Sequence, residues 1–149
     1  MDYGLREHGF MALQGVCLFA LNYWLFYLSA EFLSSGLMAL VFSTIVVMNM
    51  INGRIWFRTP VDLRMISGAV MGLAGLSLVF WPEILEVETK GETIKGLLLA
   101  VIATYLASQG NMASVRNQRS GIPVLHANAY GMSYGSLTVL LIVLFSGEE

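Results

Sequence analysis

Five residues place hydrogen-bonding groups inside otherwise apolar runs. Asn22, Tyr23 and Tyr27 lie in GFMALQGVCLFALNYWLFYLSA (Gly9–Ala30), and Tyr105 and Gln109 lie in GLLLAVIATYLASQGNMASV (Gly96–Val115). Tyr23 and Tyr27 are four residues apart, as are Tyr105 and Gln109, so each pair shares one face of a helix. Amides and hydroxyls bind polar groups while aromatic rings cover apolar ones, which is the contact chemistry of a small polar or amphipathic solute. No charged side chain lies in either run, which favours a neutral or zwitterionic solute over a strong ion. Polar groups in such runs avoid lipid and face either a watery cavity or each other. Interhelical hydrogen bonding, worth about 0.6 kcal/mol per pair, is therefore the competing reading. It applies equally to Gln14, Ser43, Thr44, Asn49, Ser108 and Asn111.

Other chemistries find little to work with. A proton-coupled pump usually keeps an ionisable relay in the membrane, and the apolar runs contain no Asp, Glu, Lys or Arg; Glu31 sits at an external turn. His8 and His126 fall at the ends of runs and read as interfacial residues. No Cys/His cluster has metal-ligand spacing, no serine is paired in sequence with a His or Asp as a nucleophile requires, and no glycine-rich phosphate loop appears. The expectation is a protein without metal or cofactor and not an enzyme. Cys17 is the single cysteine, so there is no disulfide framework. A net charge of −2 without a basic stripe gives no sign of a nucleic-acid partner.

The elements that position these residues follow from hydropathy. The 149 residues are 56% hydrophobic and only 12% charged, against about 25% charged in ordinary soluble domains. Runs long enough to cross a bilayer occur at Gly9–Ala30, Leu33–Ile51, Gly96–Val115 and Ala129–Phe145, with a shorter one at Ile66–Trp81. The expected fold is all-α, a polytopic membrane bundle of five transmembrane helices. Arg6, Arg54, Arg58, Arg64, Arg116 and Arg119 then fall on one side, and only Lys90 and Lys95 on the other. Because Lys and Arg accumulate in cytoplasmic loops, the N-terminus is expected in the cytoplasm and the C-terminus outside. Gly68-x-x-x-Gly72 with Gly75, Ala103-x-x-x-Ala107 and Gly131-x-x-x-Gly135 mark helix-packing faces, since small residues let backbones approach in lipid. Packing within one bundle and a dimer face both fit that spacing. Pro82 is expected to stop the third helix. EILEVETKGETIK (Glu83–Lys95) is the one long hydrophilic stretch, either a divider between two halves or a solvated loop.

Ala20–Phe80, ALNYWLFYLSAEFLSSGLMALVFSTIVVMNMINGRIWFRTPVDLRMISGAVMGLAGLSLVF, resembles the EamA domain of the drug/metabolite transporter superfamily. The likeness rests on an aromatic-rich helix ending in a small-residue turn, a helix with a small residue near its start, a short linker, and a glycine-bearing helix carrying Gly68, Gly72 and Gly75. RNQRSGIPVLHANAYGMSYGSLTVLLIVLFSGE is similar to the first linker and second helix of a following repeat. The resemblance implies ten helices in two five-helix repeats, of which this chain carries helices three to seven. It divides the chain into residues 1–82 from a first repeat, a connector at 83–95, and residues 96–149 opening a second. Two departures suggest a divergent subgroup. The proline often found midway in the second span is absent from Ser43-Thr44-Ile45-Val46-Val47, and the glutamate that commonly follows it is absent from Arg54-Ile55-Trp56-Phe57-Arg58.

The expected function is secondary transport of a small polar or amphipathic metabolite across the cytoplasmic membrane. The route is alternating access around a midplane site, with Asn22, Tyr23, Tyr27, Tyr105 and Gln109 lining the cavity. The expected partners are the lipid bilayer, a small-molecule substrate, and a second copy or the remainder of a longer chain. A non-transporting scaffold or assembly subunit is the alternative, and a membrane-embedded enzyme the weakest reading. The small multidrug resistance family is set aside because the first span lacks its embedded glutamate.

Overall fold

The computed structural model describes residues 3–86 and 91–146, and every regular element among them is helical. Helix α1 spans Leu5–Ser29 and α2 Ser35–Phe57. Helix α3 spans Leu63–Val79, the short α4 Trp81–Leu85, α5 Gly91–Arg119 and α6 Val124–Ser146. Helices α1, α2, α5 and α6 are long and apolar enough to cross a membrane, and α3 is a shorter apolar helix. The chain is an all-α, multi-pass membrane bundle. Its outer faces carry large apolar side chains, among them Leu78, Val79, Leu140 and Leu144, as a lipid-facing surface requires.

Local chemistry sets the helix ends. Ser34 caps α2 by accepting from the Leu37 amide (3.3 Å), and Asp62 caps α3 by accepting from the Arg64 amide (3.4 Å). Helix α2 ends on Arg58 in the left-handed conformation (φ 54°) with its amide on the Arg54 carbonyl (2.9 Å). Gly121 (φ 81°) follows α5, where only glycine accepts the conformation without cost. Thr44 interrupts α2. There the hydroxyls of Ser43 and Thr44 donate to the carbonyls of Leu40 and Val41, each at 2.6 Å, a back-bonding that bends helices. The second span is thus broken without a proline.

Three boundaries differ from the hydropathy reading. Helix α5 continues four residues past Val115 to Arg119, and α6 begins at Val124, so the linker expected at Arg116–Asn128 contracts to residues 120–123. Hydropathy loses these turns because they carry polar side chains, of which Asn117 and Asn128 are satisfied by Gln14 of α1. Pro82 does not stop α3, which ends at Val79; it occupies the first turn of α4, where its missing N–H costs nothing. The expected connector holds α4 at one end and the first turn of α5 at the other, and residues 87–90 lie outside the described residues, as do Glu148 and Glu149.

The chain forms two compact units, Met1–Trp24 with Leu106–Glu149, and Leu25–Tyr105. In the first, α1 packs along α6. In the second, α2 packs on α3 and α4. The Ser29 hydroxyl there donates to the Gly96 carbonyl (2.9 Å), and Gly36 lies against Phe80 and Glu83.

Candidate functional site

Within the first unit, glycines bring backbones into contact. A Cβ on Gly15 would overlap the Gly131 carbonyl, and one on Gly135 would stand 2.9 Å from the Gly15 oxygen. Gly110 of α5 lies against Leu18 in the same way: a Cβ added to it would stand 2.7 Å from the Leu18 Cβ.

Beside this contact runs a buried amide chain. Gln14 Nε2 donates to Asn128 Oδ1 at 2.8 Å, and Asn117 Nδ2 donates to Gln14 Oε1 at 3.0 Å. Gln14 and Asn117 are both 0% exposed. One side chain of α1 therefore ties α5 and α6 together through both ends of its amide. Arg116 extends the chain outward. It donates to Asn117 Oδ1 (3.4 Å), lies over the Phe10 ring (3.9 Å) and sits 3.9 Å from the Glu7 carboxylate.

At the same end of α1, two histidines cross-link the elements. Tyr3 Oη and His126 Nδ1 are 2.6 Å apart, and His8 Nδ1 and Tyr134 Oη 2.9 Å. The His8 ring stands perpendicular to Tyr130 at 5.0 Å, with Tyr3 also edge-on at 6.3 Å. Each hydroxyl can donate to the Nδ1 of one imidazole tautomer or accept from that of the other.

The five residues expected to line a cavity are placed unevenly. Asn22 is buried, and its Oδ1 accepts from the Tyr23 amide at 2.8 Å. Tyr23 and Tyr27 point away from the packed interior of the chain, at 64% and 70% exposure. Tyr105 is also exposed, and Gln109 is half-buried. Asn22, Tyr23 and Gln109 belong to the first unit, Tyr27 and Tyr105 to the second. Among the described residues, no side-chain hydrogen bond joins any two of the five apart from that between the neighbours Asn22 and Tyr23. Immediately before Asn22, Val16–Leu21 winds as a π-helix, a departure that recurs at functional sites. Of the five marked glycines, Gly131 and Gly135 lie at the α1–α6 contact, whereas Gly68, Gly72 and Gly75 have nothing within 4 Å of an added Cβ.

The sequence reading missed Asn117, Asn128, Tyr3 and Tyr134 as partners. Gln14, noted as a polar residue in a span, was the legible half of that network, since a mid-span amide needs a partner. Nothing in the spacing of Asn117 or Asn128 identified them. Among the described residues, no group of three His, Cys, Asp or Glu side chains is placed to hold a metal ion.

The sequence model of the EamA-like transporter family matches residues 4–81. The chain belongs to that family. The EamA match covers α1, α2 and α3, the tyrosine-bearing face of α1 and the Thr44 interruption. No curated protein and no solved structure matches the chain.

Proposed function

We propose that this EamA-family chain carries out secondary transport of a small, polar or amphipathic, neutral or zwitterionic metabolite across the cytoplasmic membrane. Alternating access is the mechanism, with the N-terminus inside and the C-terminus outside. The assignment of residues 1–82 to a first repeat, 83–95 to a connector and 96–149 to a second repeat belongs to the same proposal.

The observation that carries it is the outward face of α1 at Tyr23 and Tyr27. The two phenols lie in the last two turns of α1, six and two residues short of its end at Ser29, and a wet, substrate-binding surface is the reading that gives their hydroxyls partners. Asn22 stiffens this face by holding the Tyr23 amide. Tyr23, Tyr27 and Tyr105 offer rings and hydroxyls, and Gln109 an amide that both donates and accepts. Such a set binds polar groups without drawing a net charge into the membrane.

The test is uptake of radiolabelled neutral and zwitterionic solutes into vesicles carrying the full chain. Tyr23→Ala and Gln109→Ala are each expected to lower transport by about tenfold, the loss of one hydrogen-bonding contact, at unchanged abundance in the membrane. Unchanged transport in both variants overturns the assignment. A second reading, a helix-binding scaffold, is favoured by one observation, the open glycine face of α3. Cross-linking that recovers a stable helical partner, with no solute moved, would put that reading first.

A further inference from the structure

We propose that the arginine-bearing end of the α2–α3 pair is a binding site for an anionic phospholipid. A phosphate would sit on Arg54, Arg58 and Arg64, and an acyl chain in the groove between the helices. The site lies wholly within the second unit and does not depend on the transport reading.

Three observations converge on it. First, the space between α2 and α3 is a groove of about 520 Å³, lined by Val47, Met50, Ile51, Ile66, Val70 and Leu73 along its apolar length, with Arg54 as its charged member. This lies within the size range of small-molecule sites, and its lining suits a hydrocarbon chain rather than a polar solute. A second groove, on which Met50 and Ala69 also border, has Arg64 among its lining residues. Arginine side chains thus border both apolar spaces, Arg54 through its hydrocarbon stem.

Second, the charge is unbalanced and exposed. Residues 53–66 carry Arg54, Arg58 and Arg64 against the single carboxylate of Asp62. One oxygen of that carboxylate is engaged by the Arg64 amide as a helix cap. All three arginines are exposed, and none forms an ion pair among the described residues. Arg116 shows the contrast, with its guanidinium shared among Glu7, Asn117 and Phe10.

Third, the backbone holds the middle arginine at the join. Arg58 takes the left-handed conformation that closes α2, with Thr59 N on the Gly53 carbonyl at 3.4 Å. Non-glycine residues adopt this conformation at a cost. Guanidinium forks bind phosphate oxygens in pairs, and basic pockets between membrane helices suit anionic headgroups. A lipid brings both halves of the required ligand on one molecule, the anion at the membrane surface and the chain within it. A free phosphate compound has no use for the groove, and another apolar helix has no use for the arginines.

The experiment uses the purified full chain, stripped of lipid in a non-ionic detergent. Binding of dioleoylphosphatidylglycerol and dioleoylphosphatidylcholine is titrated by native mass spectrometry. The expected result is tighter binding of phosphatidylglycerol. That preference should fall about fivefold for each arginine removed, and roughly a hundredfold in Arg54→Gln/Arg58→Gln/Arg64→Gln. The corresponding triple lysine variant is expected to keep the charge-driven part of it and lose the part that paired contacts supply. Val70→Trp, which fills the groove and leaves the arginines intact, is expected to weaken both lipids.

Equal binding of the two lipids to the native chain overturns the proposal. So does undiminished preference in the glutamine variant. Competition by glycerol phosphate as strong as that by the intact lipid would assign the arginines to a free phosphate compound and overturn it as well. A second copy of the chain occupying the groove, seen as a dimer that phosphatidylglycerol does not dissociate, would also overturn it. If the glutamine variant does not fold, the lysine variant and Val70→Trp still decide the matter.

Discussion

In the first unit, Gly15, Gly131 and Gly135 bring α1 and α6 into backbone contact, whereas in the second, Gly68, Gly72 and Gly75 line a face of α3 where an added Cβ would meet nothing within 4 Å. The spacing of Gly131 and Gly135 is the same as that of Gly68 and Gly72. What differs is the surrounding polar chemistry. Beside Gly15 stands Gln14, whose amide is bonded to both Asn117 and Asn128, and in lipid those groups have no other partner. Helix α3 itself contains no Asn or Gln. Small residues permit close approach, and buried polar groups select which approach is made.

The largest effect expected from breaking this contrast comes at Gly15. Gly15→Leu forces a side chain into the Gly131 carbonyl, where backbone cannot yield, and should cost about 3 kcal/mol or more. Gly72→Leu, with open space around it, should be close to neutral. Unfolding of detergent-solubilised protein by a denaturing detergent compares the two, and equal losses would remove the distinction.

A smaller effect sharpens the polar half of the comparison. Gln14→Leu leaves the amides of Asn117 and Asn128 short of a partner within the bundle, at a cost of about 1–3 kcal/mol. Adding Asn117→Leu and Asn128→Leu should recover part of that loss, because replacing every partner by apolar groups is less costly than orphaning some. A triple variant less stable than Gln14→Leu alone would show that the amides do more than satisfy each other.

The smallest expected effect lies at the end of α2. Arg58→Gly relieves a left-handed non-glycine residue and should stabilise the chain by roughly 0.5–1 kcal/mol in detergent free of anionic lipid. The thermal midpoint read with and without phosphatidylglycerol checks this, since the same change removes one proposed lipid contact.

Continuous apolar runs made the helices legible in the sequence, and the all-α membrane fold followed from them. What escaped were the polar ends of helices. Arg116 and Asn117 read as linker because hydropathy falls at Val115, yet α5 carries them inward to Gln14 and Phe10. His8 and His126 read as interfacial, and their position at helix ends was legible. Their tyrosine partners were not, because Tyr3 and Tyr134 lie more than a hundred residues away along the chain from the histidines they meet. Pro82 misled for a related reason: proline ends one helix and begins another with equal ease, and the sequence does not say which helix owns it. Tyr23 and Tyr27 were legible as a shared face, though not the direction in which that face points.

The π-wound stretch Val16–Leu21 gives α1 a phase shift between its two ends. A helical wheel drawn through the whole of α1 would therefore misalign Gln14 with Tyr23 and Tyr27. Each residue of an ordinary α-helix advances the chain by about 100°, and the wider winding here accommodates about one extra residue, so deleting one residue and restoring regular winding would leave both tyrosines facing much as they do. The amide anchor to Asn117 and Asn128 would stay where it is. Regular winding at unchanged length would instead swing both tyrosines about a quarter-turn, so the winding of six residues aims one half of a helix whose other half is clamped.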